Sequence, residues 1–193
     1  MTEGTDPVKK QRVAALSGGV ALALALSGCG DNTAETNSWA KKVCDQVQPQ
    51  VKKIQAANAS IASKDKQSPK EVKKTDSAAF EEISGAYKSL AGAVDRAGPP
   101  PVDNGKKLQK DAVSELKATS KKYADLKTTV DGLDTKSQSK FAEGLDGVAS
   151  KLKTIGKSGD KALNRLQSGE VGKAMAKQKG CKRPGNAPAP SGS

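Results

Sequence analysis

The chain has 193 residues, with 33 Lys and Arg against 21 Asp and Glu, and a formal charge of +12. It contains no His, which excludes catalysis by imidazole and removes the commonest side-chain ligand of transition metals. Aromatic residues make up only 3% of the chain, so a core must be built mostly from Ala, Val, Leu and Ile, which suits closely approaching helices.

The N-terminus has the pattern of an export signal. A basic cluster ends at Arg12, and an apolar run without any charge extends from Val13 to Leu26. This run is shorter than the roughly 20 residues that a helix needs to span a bilayer core. We therefore predict a cleaved signal peptide over residues 1–28, with a permanent membrane helix as the alternative.

The apolar run ends in Leu26-Ser27-Gly28-Cys29. This sequence resembles the lipobox of bacterial lipoproteins. The resemblance implies that a diacylglycerol is attached to the thiol of Cys29, that the chain is cut between Gly28 and Cys29, and that the protein is held at the outer face of the cell membrane. The alternative is an ordinary secretory signal whose cleavage site contains a Cys.

The charge that remains after cleavage is almost entirely Lys. Cleavage after residue 28 removes three basic and two acidic side chains, so the formal charge falls from +12 to +11. The arginines that remain are Arg96, Arg165 and Arg183. Arg grips phosphate or carboxylate with a two-pronged fork, whereas Lys is a strongly hydrated point charge. The composition therefore predicts a diffuse positive field that favours anionic lipid or an anionic envelope polymer, or a merely solvated helical surface.

Residues 29–37 are small and polar, and we predict a flexible tether there. An amphipathic stripe follows from Ser38, capped at Asn37 or Ser38, and it keeps its phase across Pro49. This pattern predicts a single helix with a bend near Val47.

The second predicted helix has clear signals at both ends. Ser68-Pro69-Lys70-Glu71 forms a capping box with Pro at the first helical position, and Gly98 followed by three Pro ends the stripe. Asp76 interrupts the apolar face, so the alternative is a short first helix with a second helix that begins at Ser77.

A third stripe opens after Asp103-Asn104 and reaches Leu133, and a fourth runs from residues 135–137 to Leu166. In the fourth, Gly156 and Gly159 indicate either a close helix contact or a break. A short helix is predicted over residues 171–177, and a disordered tail over residues 184–193.

These elements predict an all-α protein. Four stripes of similar length joined by short loops favour an antiparallel up-down four-helix bundle over residues 38–183, with a three-helix bundle containing a broken second element as the alternative. In the four-helix topology Cys44 and Cys181 lie at the same end, so we predict a disulfide between them, against two free buried thiols.

Four features together resemble the small secreted lipoproteins of actinobacteria: the lipobox, the spacing from Trp39 to Cys44, the Ala97-Gly98-Pro99-Pro100 turn with Gly105 after it, and the terminal Cys181. The resemblance implies a helical, membrane-tethered envelope protein, and it supplies no catalytic residue.

The sequence contains no constellation of residues typical of an enzyme. The acidic pairs, Glu81-Glu82 and Asp31 with Glu35, fall on exposed positions or in the tether, and no Gly-rich phosphate loop is present. We predict no catalytic residue, no metal, no cofactor and no nucleic-acid partner. The predicted function is a non-catalytic binding or accessory module that meets an envelope protein at the membrane. The alternatives are a Lys-rich spacer on anionic lipid or wall polymer, and capture of a small apolar ligand between the helices.

Overall fold

A computed structural model describes residues 32–63, 67–158 and 164–182. The predicted signal peptide, the cleavage and lipidation site at Gly28 and Cys29, and the tail at residues 184–193 lie outside these ranges.

Helices account for nearly all of the described residues, and no strand occurs among them, which confirms the all-α class. The elements are α1 (Thr33–Ala62), α2 (Pro69–Ala97), α3 (Gly105–Asp131), α4 (Gln138–Ser158), α5 (Gly169–Lys177) and a terminal 3₁₀ helix (Lys179–Cys181).

Helix α1 begins at Thr33, five residues before the predicted start at Ser38, so part of the predicted tether is helical. Thr36 is buried, and the carbonyl of Asn37 accepts a hydrogen bond from the side chain of Gln178 at 3.5 Å. Glu35 in the first turn also suits the positive end of the helix dipole. The early start is therefore supported by contact with the distant C-terminal segment, which local sequence patterns do not reveal.

Neither Pro49 nor Asp76 breaks its helix. Helix α1 continues through Pro49, as predicted, and α2 continues through Asp76 without a restart at Ser77. Asp76 is a buried residue on the inner face of α2, so the polar residue in the stripe does not mark a break in the helix. The Ser68 capping box and the Gly98 terminus of α2 are both as predicted.

Helix α4 is described from Gln138 to Ser158, and residues 164–166 are also helical. Gly156 lies inside α4 with open space where a Cβ would be, so at this residue neither the predicted close contact nor a break occurs. Gly159 lies outside the described residues.

Helices α1, α2 and α3 run antiparallel, with α2 packed against both of the others. At one end Trp39 reaches Gly98 and Gln109 reaches Asp95, and at the other Ser77 of α2 reaches Asp131 of α3. Helix α4 runs back along α3, and Lys151 donates to Thr129 at 3.0 Å.

The two ends have separate apolar clusters. We call the end with the start of α1, the end of α2, the start of α3 and residues 164–182 the disulfide end, and the opposite end the far end. The cluster at the far end is formed mainly by Ala57, Phe80, Ile83, Leu126, Val130, Val148 and Ile155. The cluster at the disulfide end combines residues of α1, α2 and α3 with Leu166, Val171, Ala174 and Met175.

Candidate functional site

The disulfide end is organised around the single Trp. The side chain of Trp39 is buried, and its indole Nε1 donates a 2.8 Å hydrogen bond to the carbonyl of Gly98. Gly98 has φ +75°, a left-handed conformation that glycine adopts without a steric penalty. This bond ties the start of α1 to the turn after α2.

The disulfide joins Cys44 of α1 to Cys181 of the terminal 3₁₀ helix, with their Cα atoms 5.0 Å apart, as the sequence analysis predicts. Gly180 lies directly on the backbone carbonyl of Cys44, where a Cβ would collide with the oxygen. The close approach of the two backbones therefore requires glycine next to the bridge. Because both sulfurs are bonded to each other, neither is available as a nucleophile or a metal ligand.

The segment of residues 164–182 is amphipathic. Its buried side consists of Leu166, Val171, Ala174 and Met175, which pack into the cluster around Trp39. Its charged side chains are exposed. The disulfide end thus has apolar side chains inside and basic side chains outside, which suits contact with a surface.

The far end carries two open surface depressions on either side of the first half of α2. The first is lined by Ser60 of α1 together with Gln67, Glu71, Lys74, Thr75, Ala78, Ala79 and Glu82. The second is lined by Asp131 of α3 together with Lys70, Lys73, Lys74, Ser77, Ala78 and Glu81. Exposed Ala78 borders both depressions, so they form one continuous surface around a small residue.

Hydrogen bonds at the end of α3, two of them from side chains of α2, hold the second depression in shape. Asp131 accepts hydrogen bonds from Lys127 at 2.7 Å and from Ser77 at 2.6 Å, and these bonds lower the pKa of its carboxyl. Lys73 donates to the carbonyl of Leu133 at 3.0 Å. These groups are engaged with one another, so they form a fixed wall of mixed charge.

The start of α2 is fixed by its capping box. The backbone and hydroxyl of Ser68 both donate to the carboxylate of Glu71, at 2.8 and 2.7 Å, and these two bonds lower the pKa of Glu71. The first turn of α2, which contributes Glu71 to the first depression, is therefore ordered by its own sequence.

Tyr87 and Tyr123 stack between the two apolar clusters, with ring centroids 5.5 Å apart. Burial, with a smaller electrostatic contribution from Tyr87, raises the pKa of Tyr123 to about 12. Nearby, the hydroxyl of Ser84 donates to the carbonyl of Ser120 at 2.9 Å, and that of Ser120 donates to the carbonyl of Ser84 at 2.8 Å. This layer packs the middle of the molecule, and the Tyr123 phenol stays protonated at neutral pH.

The described residues contain no group of three or more His, Cys, Asp or Glu side chains placed to hold a metal ion. The pair Glu81 and Glu82 is exposed on α2, as predicted, and Glu35 is exposed in the first turn of α1. Within the same described ranges, no helix combines the length and the apolar character needed to cross a membrane.

No protein-family model, curated protein or solved structure matches this chain.

Sequence reasoning named the disulfide residues but missed the far-end surface and the reciprocal Ser84–Ser120 bonds. The two serines lie on helical faces between apolar positions, where a small hydroxyl permits close packing. Their position in the apolar stripes is the feature of the sequence that indicates such a contact. The depressions depend on how α1, α2 and α3 are spaced at the far end, and no local pattern encodes that spacing.

Proposed function

We propose that this chain is a lipid-anchored lipoprotein at the outer face of the cell membrane. In this proposal it acts as a non-catalytic accessory module that binds an envelope protein through its far end. We further propose that α1 to α4 form one up-down four-helix bundle. The burial of Val148 and Ile155 of α4 in one cluster with residues of α1, α2 and α3 supports this arrangement.

The observation that carries the proposal is the opposite placement of the two ends. Helix α1 begins at Thr33, only four residues after Cys29, and four residues span at most about 14 Å. The 30 residues of α1 extend about 45 Å at the rise of an α-helix. A lipid on Cys29 would therefore keep the start of α1 close to the membrane, and the length of α1 would allow the surface around Ala78 to face a partner well beyond the headgroups.

The mixed charge around Ala78 favours a protein partner over a small molecule. Both depressions are open and shallow, and their walls carry Lys and Glu side chains around a small apolar centre. Protein surfaces pair such charges across an interface, where they contribute specificity more than affinity. The lack of His in the chain and the use of Asp131 in a structural ion pair support a non-catalytic role.

The anchor is tested by Cys29→Ala. We expect the substituted protein to remain as uncleaved precursor or to appear in the medium, whereas the wild type partitions with membranes. Ser27→Ala, which keeps a small residue before the cleavage site, is the matched control and is expected to be processed normally. A Cys29→Ala protein that is still cut and retained on membranes would contradict the anchor.

The partner surface is tested by a photo-crosslinking amino acid placed at Ala78 in intact cells. The control position is Ala149, which is exposed on α4 and borders neither depression. We expect a discrete crosslinked protein from Ala78 and none from Ala149. The same set of products from both positions, or no product from Ala78, would contradict a far-end binding site.

A second candidate function, a Lys-rich spacer on an anionic surface, is favoured by a specific observation. Residues 164–182 contain five exposed basic side chains and one acidic side chain, so the disulfide end has an excess of positive charge in this segment.

A further inference from the structure

Residues 164–182 have an uneven charge. They contain five basic side chains against one acidic side chain, Glu170. Four of the five basic side chains are exposed lysines. We call these four the lysine surface: Lys173, Lys177, Lys179 and Lys182. Among the described residues, none of these four forms an ion pair, although lysines on α1 and α3 pair with an Asp four residues ahead.

The lysine surface cannot move away from the start of α1. Cys181 is covalently bound to Cys44, Gly180 lies on the carbonyl of Cys44, and Gln178 reaches the carbonyl of Asn37. Asn37 is about one helical turn from the first residue of α1. The lysines are therefore held within the first few turns of the helix that follows Cys29.

The start of α3 adds positive charge to the same end. Lys106 and Lys107 lie in its first turn, which contains no acidic residue, although the helix dipole favours acidic side chains there. The hydrogen bond from Lys107 lowers the pKa of Asp111, and nearby Arg165 adds to this effect. Arg165 therefore lies near Asp111, so residues 164–182 and the start of α3 are neighbours at the disulfide end.

We propose that the lysine surface docks on anionic phospholipid headgroups of the membrane that carries the anchor. The proposal rests on the proposed attachment of lipid to Cys29, which brings this end to the bilayer. The Debye length at physiological ionic strength is about 8 Å, so only charges held close to the headgroups gain from the surface potential. A soluble polymer would have no reason to bind at the end beside the anchor. Lys is a point charge without the rigid fork of Arg, so it suits a fluid layer of headgroups.

The experiment uses the full protein as cells process it, mixed with vesicles of phosphatidylcholine alone or with phosphatidylglycerol. The rate at which an amine-selective reagent modifies each lysine is measured by mass spectrometry. One lysine near an anionic membrane gains about fivefold in binding, so we expect modification of the lysine surface to slow by about that factor on phosphatidylglycerol. High salt should abolish the difference, and Lys136 at the far end should react equally on both vesicles.

Two variants with the same loss of charge separate docking from general electrostatics. One replaces the lysine surface by Gln (K173Q, K177Q, K179Q and K182Q), and the control replaces four exposed lysines elsewhere (K52Q, K53Q, K136Q and K140Q). The readout in both is protection of Lys106 and Lys110 on phosphatidylglycerol. We expect the first variant to lose this protection and the control to keep it. Equal loss in both variants would overturn the proposal.

The remaining outcomes distinguish docking from anchoring. Retention on pure phosphatidylcholine vesicles at high salt reports the anchor, and lysine protection reports docking. Retention with equal lysine reactivity on both vesicles would overturn docking and leave the anchor intact. Protection without retention would support docking and reject the anchor. Protection only after a soluble polyglycerol phosphate is added, and never by vesicles alone, would overturn docking on lipid in favour of a wall polymer.

Discussion

The Cys44–Cys181 bridge closes most of the folded chain into one loop, so its removal tests how the domain is stabilised. The two residues are 137 positions apart, and the loop-entropy relation gives about 5 kcal/mol of stabilisation for a loop of this length. Typical domains are stable by about 5 to 15 kcal/mol. We therefore expect C44A/C181A to lose a third or more of the stability of the protein.

The assay is urea unfolding followed by far-ultraviolet circular dichroism. The bridge acts by restricting the unfolded chain, so its removal should also raise the m-value, because the unfolded state then exposes more surface. Ala is the suitable replacement because position 44 is fully buried. A Ser at this position would have a buried hydroxyl without water to bond to.

Reduced wild-type protein is the control because it keeps both sulfur atoms but lacks the bond. It should lose nearly as much stability as C44A/C181A and show the same increase in m-value. A loss below about 1 kcal/mol with an unchanged m-value would refute the loop argument, since the relation predicts several times more.

Three further predictions follow from the close contacts and the shifted pKa values. Gly172→Ala places a Cβ against the backbone of an adjacent turn and should destabilise the protein by about 1 to 3 kcal/mol, whereas Gly147→Ala, in open helix, should stabilise it by about 0.5 to 1 kcal/mol; chemical denaturation measures both. The pKa of Glu71 is lowered from 4.5 by its bonds with Ser68, so its stabilising contribution is complete above pH 4.5 and is lost as the pH falls through the lowered value. Glu71→Gln should remove that part of the acid dependence, and an unaltered pH profile would contradict the capping assignment. The raised pKa of Tyr123, about 12 against 10.0, means that stability is complete below pH 10 and falls as the pH rises towards 12. Tyr123→Phe should flatten this alkaline loss, and phenolate absorbance should show one tyrosine titrating near 12.

The sequence predicts well those parts of the fold that depend on residues close to one another along the chain. The capping box at Ser68 and the glycine at residue 98 bound α2 at both ends, because capping uses side chains within a few residues of the helix terminus. The helical class and the continuity of α1 through Pro49 follow from apolar periodicity, which persists whether or not one backbone hydrogen bond is missing.

The parts that sequence did not predict depend on distant contacts. The early start of α1 is supported by Gln178, which is 141 residues away along the chain. Asp76 would break an isolated amphipathic stripe, yet it lies buried in an uninterrupted helix whose neighbours decide its surroundings. The surface around Ala78 exists only because α1, α2 and α3 are spaced as they are at the far end.

The position of the bridge also has a mechanical consequence. A pulling force applied between Cys29 and the C-terminal residue would pass along the chain to Cys44, cross the bond to Cys181 and leave through the last twelve residues. The covalent shortcut excludes everything between the two cysteines from the load. Helices α2 to α4 would therefore keep their structure under tension that stretches only the start of α1 and the tail. Tension applied at both termini would therefore leave the far-end surface folded.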